Sequence, residues 1–431
     1  MEKSFLNEKL YKYSLDNGLD VIIIPKKDLV KKYAIFGTHF GSMNYKFKTN
    51  EDSEIVEVPD GVAHFLEHKL FEQEDGVNAL DKLTKMGANP NAYTSFNHTA
   101  YLFECTENFN EVFKALLYFV QNPYLTEENV EKEKGIIGQE IQMYDDDPDW
   151  QLFFNLLGSM YKNHAITKDI AGTIESISEI TPEILYKCYN TFYDSSNMVI
   201  CVVGNVDVDE VLSIIKSDVK NNKLDSKIER FYDEKSEDIN KKEVSKKMDI
   251  SMPMFAIGFK DSFIKDKLEA GFTENSMELA KRDVAMQILL ILMFGKSTIF
   301  YEELYNSGLV LKPLGLNYSF EEDYAYSVVQ GESYNYRDVI EKVKNRIEEV
   351  KANGLDKEKF EIVKKSLYGD FVRLFDNVSG IATMFVSNYF RGIDSSDYVE
   401  AYKNITVDEA QKIMNEHFDF EKMAVSIIEN K

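Results

Sequence analysis

The chain has 431 residues, 44% hydrophobic and 13% aromatic, which is enough apolar material for two or three packed domains and too much for a disordered polymer. Its 50 basic and 74 acidic residues leave a net charge of −24, a field that opposes nucleic acid and anionic membrane surfaces and mildly favours cationic partners. The longest apolar run, Val284–Phe294, is too short to span a membrane, and Cys105, Cys188 and Cys201 have neither disulfide nor metal spacing, so a cytoplasmic protein with reduced core cysteines and no signal peptide is expected.

In chain order, the turn signal Asp16-Asn17-Gly18 between two strand-like runs predicts a hairpin, and "YAIFGTHFGSMN" (33–44) predicts a buried strand. The polar stretch 45–58 reads as a loop, after which "GVAHFLEHKLF" opens a helix with Asp60 as its N-cap. "NAYTSFNHTAYLFECT" (91–106) predicts a second hairpin. Helices follow over 109–121 and 126–146, and a buried strand over 197–207. Residues 216–247 are dense in charge and poor in aliphatics, which sets domains at 1–220 and 246–431 with a linker over 221–245. Beyond the linker the order of elements recurs. "MPMFAIGFKDSF" echoes "KYAIFGTHFGSM", the stretch around "LGLNYSF" echoes "MGANPNAYTSF", and 355–377 echoes 125–147 at an offset of 230. Three echoes in one order argue for a duplicated domain.

His64 and His68, four apart on a helix, differ by about 40° and share one face, so two of the chain's six histidines could hold one Zn²⁺. Glu67 lies about 60° to the other side of His64 and can serve the open side of such a metal, the inverted form of H-E-x-x-H. The alternative is a helix with two solvated or core-satisfied histidines. A catalytic zinc also needs a third protein ligand. Glu133 and Glu140, seven apart, lie about 20° from a common face, and Glu140 sits in the otherwise uncharged run "GIIGQEIQMY", where a buried carboxylate is costly unless paired or bound to metal. Glu133 would then lie behind the ligands, orienting a histidine or polarising the ligand set. Its bland alternative is an exposed charge in "EKEKG".

"GVAHFLEHKLF", "GANPNAYTSFNHTAYLFEC", the helical E-x6-E and "NMVICVVGNVD" together resemble the M16 (insulinase, pitrilysin or mitochondrial-processing-peptidase-like) zinc metallopeptidase family, through essentially all of 1–215 and more weakly beyond. The nearest form is a small bacterial branch of this chain's length, which includes zinc-bearing subunits linked by name to elongation factor P modification. The resemblance implies an α+β fold of two homologous α/β domains, each a mainly antiparallel sheet covered by helices, together half of a clamshell. It implies His64, His68 and Glu140 as ligands of one Zn²⁺ per chain, Glu67 as general base, Glu133 as the carboxylate behind the ligands, and Phe71, Asn91 and Ala92 as substrate contacts. The activity implied is a zinc endopeptidase that cleaves peptides or unfolded segments in an enclosed chamber, with the peptide adding as a strand along 91–97. The second copy lacks the metal set: no histidine occurs from 165 to 416, and Val363 and Asp370 stand where the first copy has Glu133 and Glu140. The family's arginine and tyrosine in a stretch resembling "LREKxGLAY" are also missing. This chain reads "LYNSGLVL", with Tyr305 and Leu311 at those positions. A zinc-less relative supplying that pair is therefore expected as a heterodimer partner, with a homodimer as runner-up. A non-proteolytic scaffold subunit is the alternative function.

Overall fold

The computed structural model describes residues 2–6, 8–220, 227–232, 236–263, 273–321 and 323–431. Two compact units emerge. The first comprises Met1–Ile141, Lys168–Tyr232 and Val372–Phe390; the second comprises Gln142–Thr167, Asp233–Phe371 and Arg391–Lys431.

The first unit is built on a seven-stranded sheet in the spatial order Glu2–Phe5, Glu8–Ser14, Asp20–Pro25, Met198–Gly204, Lys32–Thr38, Thr99–Cys105, Asn89–Thr94. Neighbours are antiparallel except Asp20–Pro25 against Met198–Gly204. The central strand "MVICVVG" is buried at every position, as expected of a strand covered on both faces. The first hairpin turns at Gly18, whose φ of +86° is the left-handed conformation that glycine adopts without strain. The second unit repeats the plan with five strands ordered Glu243–Met248, Met423–Asn430, Met254–Lys260, Tyr324–Glu332, Gly315–Glu321, again with one parallel pair at the equivalent place. The duplication read from the echoes is thus a duplicated sheet topology.

The units are not simple consecutive halves of the chain. Helix Pro148–Met160 packs on the second unit's strands Met254–Lys260 and Met423–Asn430. Helix Val378–Phe390 packs on the first unit's strands Lys32–Thr38 and Met198–Gly204. A glycine admits each helix: a Cβ at Gly258 would meet Met160 and Leu156, and one at Gly37 would meet Phe390 and Val386.

Two stretches read as irregular contain strands. Lys46–Lys48, within the expected loop 45–58, pairs with Val56–Glu57 and with Glu229–Arg230, because alternation puts Phe47 inside and its lysine neighbours outward. In the expected linker, residues 221–226 and 233–235 lie outside the described residues, whereas Glu243–Met248 is an edge strand. An edge strand tolerates charge on its open side, which is why "EVSKKM" reads as linker. Apolar run 284–294 lies in the buried helix Ser276–Phe294, and no single helix among the described residues is long and apolar enough to cross a membrane.

Candidate metal centre

The motif forms the helix Val62–Lys69, in which seven of eight residues are buried, so it is neither a surface helix nor a carrier of two solvated histidines. Asp60 does not cap it, contrary to the sequence expectation: the N-cap is Gly61 at φ +89°, without a side-chain cap, and the Asp60 carboxylate pairs instead with Lys168 at 2.9 Å. A Cβ at Gly61 would stand 2.4 Å from the Ala171 carbonyl oxygen. Gly61→Ala is therefore expected to cost about 1–3 kcal/mol of stability, combining strain at positive φ with a backbone clash, and a lowered Tm in calorimetry would register it.

His64 and His68 face one another with ring centroids 4.6 Å apart. The long helix Glu127–Asp145 brings Glu140 beside both, with Oε1 3.7 Å from His64 Nε2 and Oε2 3.6 Å from His68 Nε2. One ligand atom from each of the three lies within 4.8 Å of the others. Two ligands held about 2.0–2.1 Å from a tetrahedral ion stand roughly 3.3–3.4 Å apart, so this two-nitrogen, one-oxygen set has the donor chemistry of zinc at a slightly wider spacing, with a fourth position left for water or substrate. Glu140 is less enclosed than its apolar run suggested: its side chain is 24% exposed, and Ile136 and Met143 on the same helix are exposed. The helix buries Val130, Ile137 and Ile141 on one side and leaves Ile136 and Met143 exposed on the other.

Glu133 is buried behind His68, its Oε1 3.0 Å from Nδ1. A proton on Nδ1 donated to this carboxylate leaves Nε2 as the free donor atom on the Glu140 side. Burial alone would raise the Glu133 carboxyl, but the His68 hydrogen bond and the Lys69 charge hold it below its ordinary value. Burial, reinforced by the neighbouring His68, lowers the His64 pKa to about 4, which keeps that imidazole neutral and available as a ligand. His68 is raised instead, because the Glu133 hydrogen bond and the carboxylates of Glu67, Glu133 and Glu140 together outweigh the burial that would lower it.

Glu67 is buried, and Thr94 Oγ1 donates to its Oε2 at 2.7 Å. Burial raises its pKa against the opposing effects of that hydrogen bond and of His68. A buried carboxyl raised in this way is suited to carry a proton both ways. Phe71 is half-buried, with ring centroids 6.0 Å from those of Tyr101 and Phe119. Asn91 is exposed and Ala92 half-buried on the strand Asn89–Thr94, which forms one edge of the sheet. Tyr305 and Leu311, at the positions of the missing arginine and tyrosine, are both exposed.

Two contributors escaped the sequence reading. Thr94, inside "NAYTS", orients Glu67. Lys69, next to His68, is fully buried, with Nζ 2.8 Å from Glu72 and 3.4 Å from Glu133. The available signal was a lysine inside the apolar run "FLEHKLF" with a glutamate three residues on. His98 is a hairpin residue, hydrogen-bonded to Tyr93 and Ser95. Trp150 lies in the first turn of the next helix, Pro148–Met160, and stacks on Tyr144, with ring centroids 4.4 Å apart.

Comparison with known proteins shows the family. Residues 55–174 match the family model "Insulinase (Peptidase family M16)", and 179–367 match "Peptidase M16 inactive domain". A Bacillus subtilis (strain 168) protein named zinc protease YmfH is 38% identical over 99% of this chain and 97% of its own length. Human mitochondrial-processing peptidase subunit beta is 32% identical over 36% of this chain and 33% of its own. The crystal structure of an M16-like peptidase from Alicyclobacillus acidocaldarius superposes with a TM-score of 0.92 at 34% identity, covering 98% of this chain and 99% of that one. With both halves matched and a full-length relative at this identity, the chain belongs to the M16 (insulinase) peptidase family.

Proposed function

We propose that the chain is a zinc-dependent endopeptidase, the metal-bearing subunit of a two-subunit protease that takes peptides or unfolded segments into an enclosed chamber. The observation that carries the reading is the convergence of His64, His68 and Glu140 beside a buried, hydrogen-bonded Glu67. The first three would hold one zinc. Bound there, zinc would supply a Lewis acid that acidifies a water and polarises a carbonyl. Glu67 would accept the proton and deliver it to the leaving amine, with Thr94 fixing the carboxylate's direction. Among the described residues the edge strand Asn89–Thr94 pairs on one side only, so an extended peptide could add to its open side, giving affinity through main-chain hydrogen bonds and little side-chain selectivity. That strand ends at Thr94, the residue that holds Glu67, so a peptide aligned along it runs toward the base.

Tyr305 and Leu311 support the two-subunit part of the reading. An arginine aimed at developing carbonyl charge is typically worth several kcal/mol, and this chain has none at the corresponding position. A zinc-less relative would supply it, with a homodimer as the lesser option and the cytoplasm as the setting. The same departure, with the match to the inactive-domain model, favours a non-proteolytic subunit as the second reading.

The test is metal analysis of the purified chain followed by cleavage of an unstructured peptide, with and without a co-expressed zinc-less relative. The expected result is one zinc per chain, with activity lost to a chelator, restored by zinc and strongly raised by the relative. Full activity of the isolated chain would remove the heterodimer. A chain that binds no zinc would favour the non-proteolytic subunit.

A further inference from the structure

Lys69 is a lysine with no exposed side-chain surface, in direct contact with carboxylates. A buried ammonium is costly unless it is paired and hydrogen-bonded, so a charge in this position calls for a reason. Its Nζ reaches Glu72 at 2.8 Å and Glu133 Oε2 at 3.4 Å, while the other Glu133 oxygen, Oε1, takes His68 Nδ1 at 3.0 Å. The carboxylate is therefore held at both oxygens, by two side chains adjacent in sequence. Glu72 is partly exposed, so it anchors the ammonium from the rim. On the other side of His68, Glu140 lies 3.6 Å from Nε2, and Glu67 is buried nearby. Without a fixed cation, Glu133 has a single side-chain partner and can rotate away from His68.

We propose that Lys69 is a positioning residue for the metal centre: braced by Glu72, it pins Glu133 against His68 Nδ1 and so sets the tautomer and ring orientation with which His68 presents Nε2. The inference rests on the zinc reading of the site and adds to it a residue that touches neither metal nor substrate. Groups behind metal-ligating histidines typically change metal affinity by about 10- to 100-fold.

The experiment is a chelator-competition measurement of Zn²⁺ affinity for the full chain, alongside the Tm of each metal-free variant. Lys69→Met keeps the length of the side chain without its charge, and is expected to lower the metal-free Tm, since buried Glu133 loses its cation, and to weaken zinc binding by about tenfold or more. Lys69→Gln, better suited to a polar pocket, should weaken it in the same direction. In a Glu133→Gln background, Lys69→Met should cost no further affinity, since the carboxylate it acts through is gone. Wild-type affinity in either folded variant would overturn the assignment, as would an undiminished loss in the Glu133→Gln background. Failure of both variants to fold would make Lys69 a stabilising residue and overturn it as well. Absence of zinc from the wild-type chain would instead refute the zinc reading itself, so the two failures are distinguishable.

Discussion

Glu67→Gln is expected to lower peptide cleavage by about 10²- to 10⁴-fold, in the presence of any required partner, while leaving the bound zinc in place. Glutamine preserves the shape of the side chain and can still accept the hydrogen bond from Thr94 Oγ1, so the helix and the strand it touches should be undisturbed. What it removes is the capacity to take up a proton. Glu67 is not among the three residues whose donor atoms converge, so zinc content by metal analysis should match wild type. Initial rates on a reporter peptide, read beside that metal content, check both halves of the expectation. Cleavage at the wild-type rate would remove Glu67 as the base.

The second large effect lies far from the chemistry. In the second unit Arg282 and Asp261 form a buried bidentate pair, with Arg282 Nη2 3.0 and 2.9 Å from the two carboxylate oxygens. Tyr318 donates to the same Asp261 at 2.8 Å, and His417 Nδ1 lies 3.2 Å away. Asp261→Ala leaves the guanidinium buried against the Phe263 ring, 4.6 Å from its centroid, with the exposed Glu416, at 3.6 Å, as a carboxylate partner among the described residues. Losing one partner of a buried pair typically costs about 3–5 kcal/mol, and a urea midpoint well below wild type would register the loss. The pH dependence has a definite sign. Burial alone would raise the Asp261 carboxyl, but the adjoining His417 and the Arg282 charge hold it well below the ordinary value. A depressed folded pKa contributes stability that is complete above the unfolded carboxylate pKa of about 3.9 and is lost as pH falls below it. The gap between wild type and Asp261→Ala should therefore be full at neutral pH and shrink in acid.

Much of the centre was legible because its chemistry is periodic. The i, i+4 histidines and the i, i+7 glutamates must share helix faces wherever those helices lie, and the structure brings the two pairs together. The duplicated sheet was legible for a similar reason, since strand echoes in one order imply one topology. Other features depend on tertiary context that no local pattern carries. The charged "EVSKKM" is a strand because Met423–Asn430 offers it an edge, and Gly61 rather than Asp60 begins the motif helix because Lys168 claims the Asp60 carboxylate. The exposed side of the Glu140 helix was misjudged because an apolar run does not say which way it faces. Lys69 was passed over because a lysine beside a histidine reads as solvated until its burial is known.

The helices at 148–160 and 378–390 begin 230 residues apart, the offset that relates the rest of the duplication, and each sits on the sheet of the other repeat. This is the connectivity of a swapped dimer of two like protomers fused into one polypeptide. A fragment ending at residue 232 would retain every metal-ligand candidate yet leave the sheet face over Gly37 bare, and its own helix at 148–160 without a seat. The second repeat thus supplies a helix to the unit that carries His64, His68 and Glu140, and folding of that unit draws on both ends of the chain.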